Sequence, residues 1–130
     1  MEKTNFENLD IYKLAERIAD EIWEMVMAWK SLCQDTIGKQ VIRSADSIGA
    51  NVAEGSGRGT AADNRRFLRM SRGSLYETRH WLRRAHRRKL LSQAQIDVLS
   101  PLIAELTPKL NAYIARVDGT VFSKNVKKEA

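Results

Sequence analysis

The chain has 130 residues, the size of one ordinary domain, and carries 22 Lys and Arg against 16 Asp and Glu, a formal net charge of +6. Its hydrophobic content of 43% excludes wholesale disorder, and its single cysteine excludes an internal disulfide framework. No apolar run approaches the roughly 18 residues of a membrane span, and the N-terminus does not resemble a signal peptide. These features predict a cytoplasmic protein with no membrane partner.

The positive charge is concentrated in one segment. Residues 1–57 carry a net charge of −4 and residues 90–130 a net charge of +1. Residues 58–89 hold ten arginines and one lysine against two acids, a net charge of +9. Such a density is typical of surfaces that bind nucleic acid or another polyanion.

Apolar residues recur with the 3.6-residue period of amphipathic helices, and no segment alternates as a strand does. The pattern predicts a flexible N-terminal segment over 1–8, a four-helix bundle over 9–118 and a flexible basic tail over 119–130. The predicted helices span about 10–29, 36–54, 60–88 and 92–117.

The first predicted helix carries more apolar surface than one bundle requires. A second strip lies about 100° from its core-facing line and includes Tyr12, Trp23 and Met27. If this strip is exposed, it is an interaction surface and indicates self-association. A deeply buried helix would give the same pattern.

The second predicted helix combines small and polar residues, and Gly55 is predicted to end it in a left-handed cap. Small residues recur every four positions and form a groove that another helix can approach closely: Ala45, Gly49 and Ala53. Polar residues flank this groove: Ser47, Asn51 and Glu54. We favour a helix contact, within or between protomers, over a polar pocket that binds a ligand.

The third predicted helix carries six arginines and one tyrosine in a row. They fall within about 40° of one line, opposite the apolar residues, along roughly 33 Å. The row consists of Arg65, Arg69, Arg72, Tyr76, Arg79, Arg83 and Arg87. Guanidinium groups match phosphate oxygens and a tyrosine can stack on a base, so the row predicts a nucleic-acid surface. The alternative is a solvated face, or one neutralised by the acids Glu16, Asp20 and Glu24 of the first helix.

The fourth predicted helix begins with a capping box formed by Ser92 and Gln95. Pro101 and Pro108 fall inside its apolar pattern, so we expect them to kink or split the helix. Four amphipathic helices joined by short loops predict an all-α, antiparallel up-down-up-down four-helix bundle with a kinked fourth helix. A three-helix domain with a swapped or docked fourth helix is the competing interpretation.

Catalytic and metal-binding patterns are missing from the sequence. His80 and His86 are six residues apart and therefore lie on different helix faces, and Cys33 has no nearby histidine. The glycines of residues 55–59 lack the spacing of a phosphate-binding loop and follow a helix rather than a strand. The sequence therefore predicts no enzyme activity, no metal and no cofactor.

The most distinctive stretch of the sequence is residues 43–58, which read Arg-Ser-Ala-Asp-Ser-Ile-Gly-Ala-Asn-Val-Ala-Glu-Gly-Ser-Gly-Arg. They resemble the signature helix of the four-helix-bundle proteins encoded in intervening sequences of bacterial 23S ribosomal RNA genes. Residues 6–15 resemble the start of that family's first helix, and residues 67–68 with 73–78 resemble its third. The likeness extends from residue 6 to residue 117.

This resemblance implies an antiparallel bundle that assembles as a homopentamer, with no established catalysis. A more distant similarity is to the accessory variability determinant of diversity-generating retroelements, a basic pentamer that works beside a reverse transcriptase and nucleic acid. The two prolines of the fourth helix and the arginine density of the third depart from the family pattern.

Taken together, these features predict a non-enzymatic oligomeric bundle that binds RNA or DNA backbone through its third helix. The alternative function is a protein-interaction module whose basic face docks an acidic partner protein. A small-molecule binder that uses Ser47, Asn51 and Glu54 is the least favoured hypothesis.

Overall fold

The structure, a computed structural model, describes residues 5–129, and the side chains among them over 5–119. Helix α1 spans Asp10–Met27, α3 spans Ala61–Arg87 and α4 spans Gln93–Glu129. Helix α2 consists of three consecutive pieces, Ser31–Cys33, a π-helical stretch Gln34–Gly38 and Lys39–Ser56. A 3₁₀ turn, Asn5–Asn8, precedes α1. The described residues contain no strand.

The four helices form an antiparallel bundle in which each packs on two others. Helix α1 packs against α2 and α4, and α3 packs against the same two helices, so α1 and α3 are diagonally opposite. The indole N–H of Trp29 donates to the carbonyl of Leu90 at 3.1 Å. This bond places the end of α1 and the end of α3 at the same end of the bundle. The all-α prediction is confirmed.

The apolar stripes of the four helices meet in one core. The largest fully buried side chains include Ile18, Ile48, Leu75 and Leu106, each at 0% exposure. Burying one such side chain contributes roughly 1.5–3 kcal/mol to stability. Apolar residues from all four helices therefore form the core, as expected of amphipathic helices in a bundle.

Two predicted helix starts are confirmed by their hydrogen bonds. Thr60 Oγ1 accepts from the backbone N–H of Asp63 at 3.2 Å. The capping box is reciprocal, because Ser92 Oγ accepts from the N–H of Gln95 at 3.2 Å and Gln95 Oε1 accepts from the N–H of Ser92 at 2.9 Å. Local sequence determines these caps, and each satisfies amide groups that the first helical turn leaves unpaired.

The turn between α1 and α2 is tighter than the sequence predicts. Helix α1 ends at Met27 rather than near 29, and α2 begins at Ser31 rather than near 36. Gly38 is buried where α1 passes, and a Cβ there would lie 2.7 Å from Val26 Cγ1. A pattern counted at 3.6 residues per turn does not detect the wider π-helical turn that makes this contact.

Gly55 is not the left-handed cap that the sequence predicts. Helix α2 continues to Ser56, and its cap is Gly57 in a right-handed conformation. Gly55 is buried against α3, where a Cβ would lie 2.8 Å from Asn64 Oδ1 and 2.9 Å from Phe67 Cβ. The close approach of the two helices, not the backbone conformation, therefore requires glycine at this position.

Helix α4 is one continuous helix that contains both Pro101 and Pro108, so neither proline splits it. The helix runs past its predicted end near 117 and reaches Glu129. It therefore includes most of the segment 119–130 that is predicted to be a tail. The kink in this helix and the flexibility of 1–8 and 119–130 stay predictions, and residues 1–4 and 130 lie outside the described residues.

Candidate nucleic-acid interface

The first half of the arginine row is tied to α4. Arg65 Nε lies 3.4 Å from Asp118 Oδ1, and Arg69 Nη2 lies 3.2 Å from Asp118 Oδ2. Arg72 Nη1 donates to Asn111 Oδ1 at 3.2 Å. These three guanidinium groups bridge α3 to α4, which reduces their capacity to bind an outside anion.

The second half of the row has no such partners. Arg79, Arg83 and Arg87 are exposed and form no ion pair with a carboxylate of residues 5–119. Arg84, Arg88 and Lys89 add three more cations within the same 11 residues, which rise roughly 15 Å along the helix axis. We call Arg84, Arg87, Arg88 and Lys89 the end cluster.

The end cluster lies on a defined turn of the backbone. Lys89 has a φ of 61°, and its N–H donates to the carbonyl of His86 at 3.0 Å. The N–H of Leu90 donates to the carbonyl of Ala85 at 2.9 Å. These two bonds close the helix as a Schellman motif and fix the direction in which the chain leaves it. Cations are favoured here because the helix C-terminus carries negative partial charge.

A groove runs beside the row, between α3 and α4, with a volume of about 930 Å³. We call it the α3–α4 groove. Its apolar floor includes Leu82, Leu91, Leu99 and Ile103. Its α3 rim consists of Tyr76, Arg79, His80, Arg83 and His86. Tyr76 is 49% exposed, so its ring is accessible from solvent.

The acids of α1 do not neutralise the arginine row within the chain. Glu16, Asp20 and Glu24 are exposed on α1, which is diagonally opposite α3 in the bundle. Among residues 5–119 no ion pair joins α1 to α3. The protein therefore presents a basic face and, on the far side, an acidic one.

Asp46 of α2 extends this acidic face. Burial raises the pKa of its carboxyl above 3.8, and the negative charge of Asp20 raises it further. The folded state therefore holds the Asp46 proton more tightly than the unfolded chain does. As a result, ionised Asp46 lowers the free energy of unfolding at pH values above the folded-state pKa, and this destabilisation disappears as the pH falls below 3.8.

We expect Asp46→Asn to raise the melting temperature at pH 7, because asparagine keeps the shape of the side chain without its charge. The gain should shrink as the pH falls and vanish near pH 3, where Asp46 is protonated in both states. Thermal unfolding followed by circular dichroism at pH 7 and pH 3 tests this. Equal melting temperatures at pH 7, or a larger gain at pH 3, would contradict it.

The small-residue groove of α2 packs inside the protomer. A Cβ on Gly49 would lie 3.5 Å from Tyr12 Cε2 and 3.7 Å from Ala15 Cβ, both on α1 of the same chain. Ala45 is fully buried and Ala53 half-buried. The groove is therefore occupied by α1.

The polar residues beside that groove bond locally. Ser47 Oγ donates to the carbonyl of Arg43 at 2.7 Å, and Asn51 Nδ2 donates to the carbonyl of Ser47 at 2.8 Å. Glu54 forms an ion pair of 2.8 Å with Arg58 at the end of the helix. No hydrogen bond or ion pair therefore joins the side chains of Ser47, Asn51 and Glu54 to one another.

The second apolar strip of α1 is divided between packing and exposure. Tyr12 is half-buried, and its hydroxyl donates to Glu16 Oε2 at 3.1 Å. Trp23 and Met27 are 50% and 54% exposed. Two large apolar side chains therefore project from the acidic face, one helical turn apart.

The tertiary structure also shows what two buried hydroxyl groups of α3 bond to, which the sequence did not predict. Ser71 Oγ donates to the carbonyl of Ile48 at 2.8 Å, and Thr78 Oγ1 lies 2.9 Å from Ser44 Oγ. These buried hydroxyls link α3 to α2. Arg84, Arg88 and Lys89 fall outside the row, although the net charge of residues 58–89 could have pointed to them.

Within the described part of the chain, no group of three His, Cys, Asp or Glu side chains is placed to hold a metal ion. No helix there is long and apolar enough to cross a bilayer.

A family model described as 23S rRNA-intervening sequence protein matches residues 7–112. The chain is also similar to a crystal structure, at 1.70 Å resolution, of a protein with unknown function from the S23 ribosomal protein family of Bacteroides thetaiotaomicron VPI-5482. The TM-score is 0.71 at 22% identity, covering 80% of this chain and 97% of that chain. No curated protein matches the chain. At this identity the likeness to the solved structure shows the fold alone.

Proposed function

The chain belongs to the 23S rRNA-intervening sequence protein family, and we propose that it is a non-enzymatic, oligomeric bundle that binds the backbone of RNA or DNA. The observation that carries this proposal is the end cluster of α3, whose four cations form no ion pair with an acid of residues 5–119. The contact is centred on the end cluster rather than spread over the whole row, because α4 already engages Arg65, Arg69 and Arg72.

Phosphate is the ligand that suits this surface best. Arginine presents a planar, permanently charged fork that can donate two hydrogen bonds to phosphate oxygens. Three of the four end-cluster residues are arginines. Contacts to phosphate carry no sequence information, so binding should depend little on base sequence.

Assembly would strengthen such binding. The family resemblance implies a homopentamer, and we propose that this chain forms one. Several end clusters on one particle would then bind a long strand with greater avidity than a short one. The cytoplasmic location stays a prediction.

We expect binding to weaken steeply with salt, because each neutralised phosphate releases bound counterions. Four contacts give a logarithmic slope of roughly −3 on single strands and about −4 on duplex, a loss of about 50- to 150-fold between 50 and 200 mM salt. Fluorescence anisotropy with a labelled RNA and a labelled DNA duplex measures this slope. No binding at 50 mM salt, or binding that salt does not change, would contradict the proposal.

An acidic partner protein is the alternative ligand of the same surface. The material that co-purifies with the protein distinguishes this alternative from nucleic-acid binding. Bound nucleic acid raises the ratio of absorbance at 260 nm to that at 280 nm, and high salt lowers the ratio again. An acidic partner appears as a second protein band with no such rise in absorbance.

A further inference from the structure

We propose that the α3–α4 groove is the docking site for helix α1 of a second copy of this chain, through the face that carries Trp23, Met27 and the acids Asp20 and Glu24. This proposal rests on the self-association proposed above and identifies the two surfaces that meet. It assigns a partner to a groove that the nucleic-acid contact does not use.

The groove has the chemistry of a site for an amphipathic acidic helix. Leu82, Leu99 and Ile103 provide an apolar floor, and Arg79 and Arg83 provide cations at its rim. Neither arginine has an acidic partner among residues 5–119. An apolar floor beside unpaired cations favours a ligand with a row of apolar side chains and acids next to them.

Helix α1 presents that combination on its outer face. Trp23 and Met27 project from the bundle, so about half of each large apolar side chain is exposed to solvent. Asp20 and Glu24 are also exposed, three residues before Trp23 and directly after it. On a helical wheel Asp20, Trp23 and Met27 lie within about 60° of one another and Glu24 about 40° beyond Asp20, so one face of roughly 100° carries all four.

The two surfaces also lie at the same height along the bundle. Trp29 is bonded to Leu90, and both α1 and α3 run towards that end at about 1.5 Å per residue. Counted from this bond along the bundle axis, Glu24 lies roughly 8 Å away and Arg83 roughly 10 Å. In the same way, Asp20 lies roughly 14 Å away and Arg79 roughly 16 Å. A neighbour placed side by side, without sliding along the axis, therefore brings each acid close to one arginine.

Such a contact joins one face of a protomer to a different face of its neighbour. Helices α1 and α3 are diagonally opposite, so a copy that receives α1 in its groove still offers its own α1 to the next copy. Repetition of a head-to-tail contact closes a ring, or forms a filament if the rotation does not close. None of the four end-cluster residues lines the groove, so they stay available to nucleic acid in this arrangement.

Charge reversal on each side tests the docking. We expect Asp20→Lys/Glu24→Lys to dissociate the assembly to a 15 kDa species, and Arg79→Glu/Arg83→Glu to do the same. The chain that carries all four substitutions should assemble again, because both faces have then exchanged their charge. Light scattering after size-exclusion chromatography measures the mass, and circular dichroism checks that each variant is folded.

A cross-linking experiment tests the geometry separately. In a Cys33→Ser background, Glu24→Cys protein is mixed with Arg83→Cys protein and treated with a short bis-maleimide. We expect a covalent dimer that contains one chain of each kind, which neither variant forms alone.

Two results would overturn the docking. The first is charge-reversal variants that assemble like the wild type, and the second is an oligomeric wild type whose cysteine variants give no cross-linked dimer. Either result would show that these two surfaces do not meet, without contradicting self-association. A wild-type monomer at 50 μM would refute self-association itself. Nucleic-acid binding by the end cluster is measured independently in either case.

Discussion

Neutralising the end cluster should weaken RNA and DNA binding by roughly 100- to 1,000-fold at 50 mM salt, the scale expected when four phosphate contacts are lost. The variant is Arg84→Gln/Arg87→Gln/Arg88→Gln/Lys89→Gln. Glutamine keeps a long polar stem and a good helix propensity, so the change removes charge with little effect on folding. Fluorescence anisotropy over a salt series should show the affinity and the slope falling together.

A matched variant separates local contact from the overall charge of the protein. Lys39→Gln/Arg43→Gln/Arg58→Gln/Arg66→Gln removes the same number of charges from exposed positions on α2, in the loop that follows it and near the start of α3. Both variants have a formal net charge of +2, calculated from the +6 of the native chain. If the two lose affinity equally, long-range attraction explains binding and the end cluster is not the site.

Gly55→Ala and Gly73→Ala should change the free energy of unfolding in opposite directions. Alanine favours a helix over glycine by roughly 1 kcal/mol at either position. At Gly55 the new Cβ meets Phe67 Cβ at 2.9 Å and the Asn64 carbonyl oxygen at 3.1 Å, so α2 and α3 must move apart. Overpacking of this kind costs typically 1–3 kcal/mol and should outweigh the gain in helix propensity.

At Gly73 nothing lies within 4 Å of the added Cβ, so only the gain remains, about 0.4–1 kcal/mol. Urea unfolding followed by circular dichroism measures both free energies. Stabilisation by Gly55→Ala would show that the close approach of α2 and α3 does not exclude a side chain at Gly55, and destabilisation by Gly73→Ala would contradict the expected gain in helix propensity.

Local sequence predicted the elements of this protein well, because the signals for them lie within one or two helical turns. The 3.6-residue period indicated the four amphipathic helices, and the capping box of Ser92 and Gln95 marked the first turn of α4. Helix boundaries were predicted less well. The π-helical stretch Gln34–Gly38 and the continuation of α4 to Glu129 depend on geometry that the apolar period does not specify.

The ion pairs of the arginine row could not be predicted from the sequence. The sequence placed six arginines along one line of a helix, but it could not show which of them meet an acid elsewhere. Asp118 is 49 residues from Arg69 along the chain, and only the packing of α4 beside α3 brings them within 3.2 Å. Consequently, the cations of α3 that meet no acid in the part of the chain with described side chains lie towards the end of the helix.

The sequence by itself therefore determined the four helices, their inward faces and the segment that carries the charge, since each of these depends on neighbouring residues. The tertiary structure alone decided that Gly49 packs on Tyr12, that Gly55 lets α3 approach α2 closely, and that a groove lies between α3 and α4. These features depend on distances between side chains on different helices. Such distances are set by how the whole core packs, and no local period encodes them.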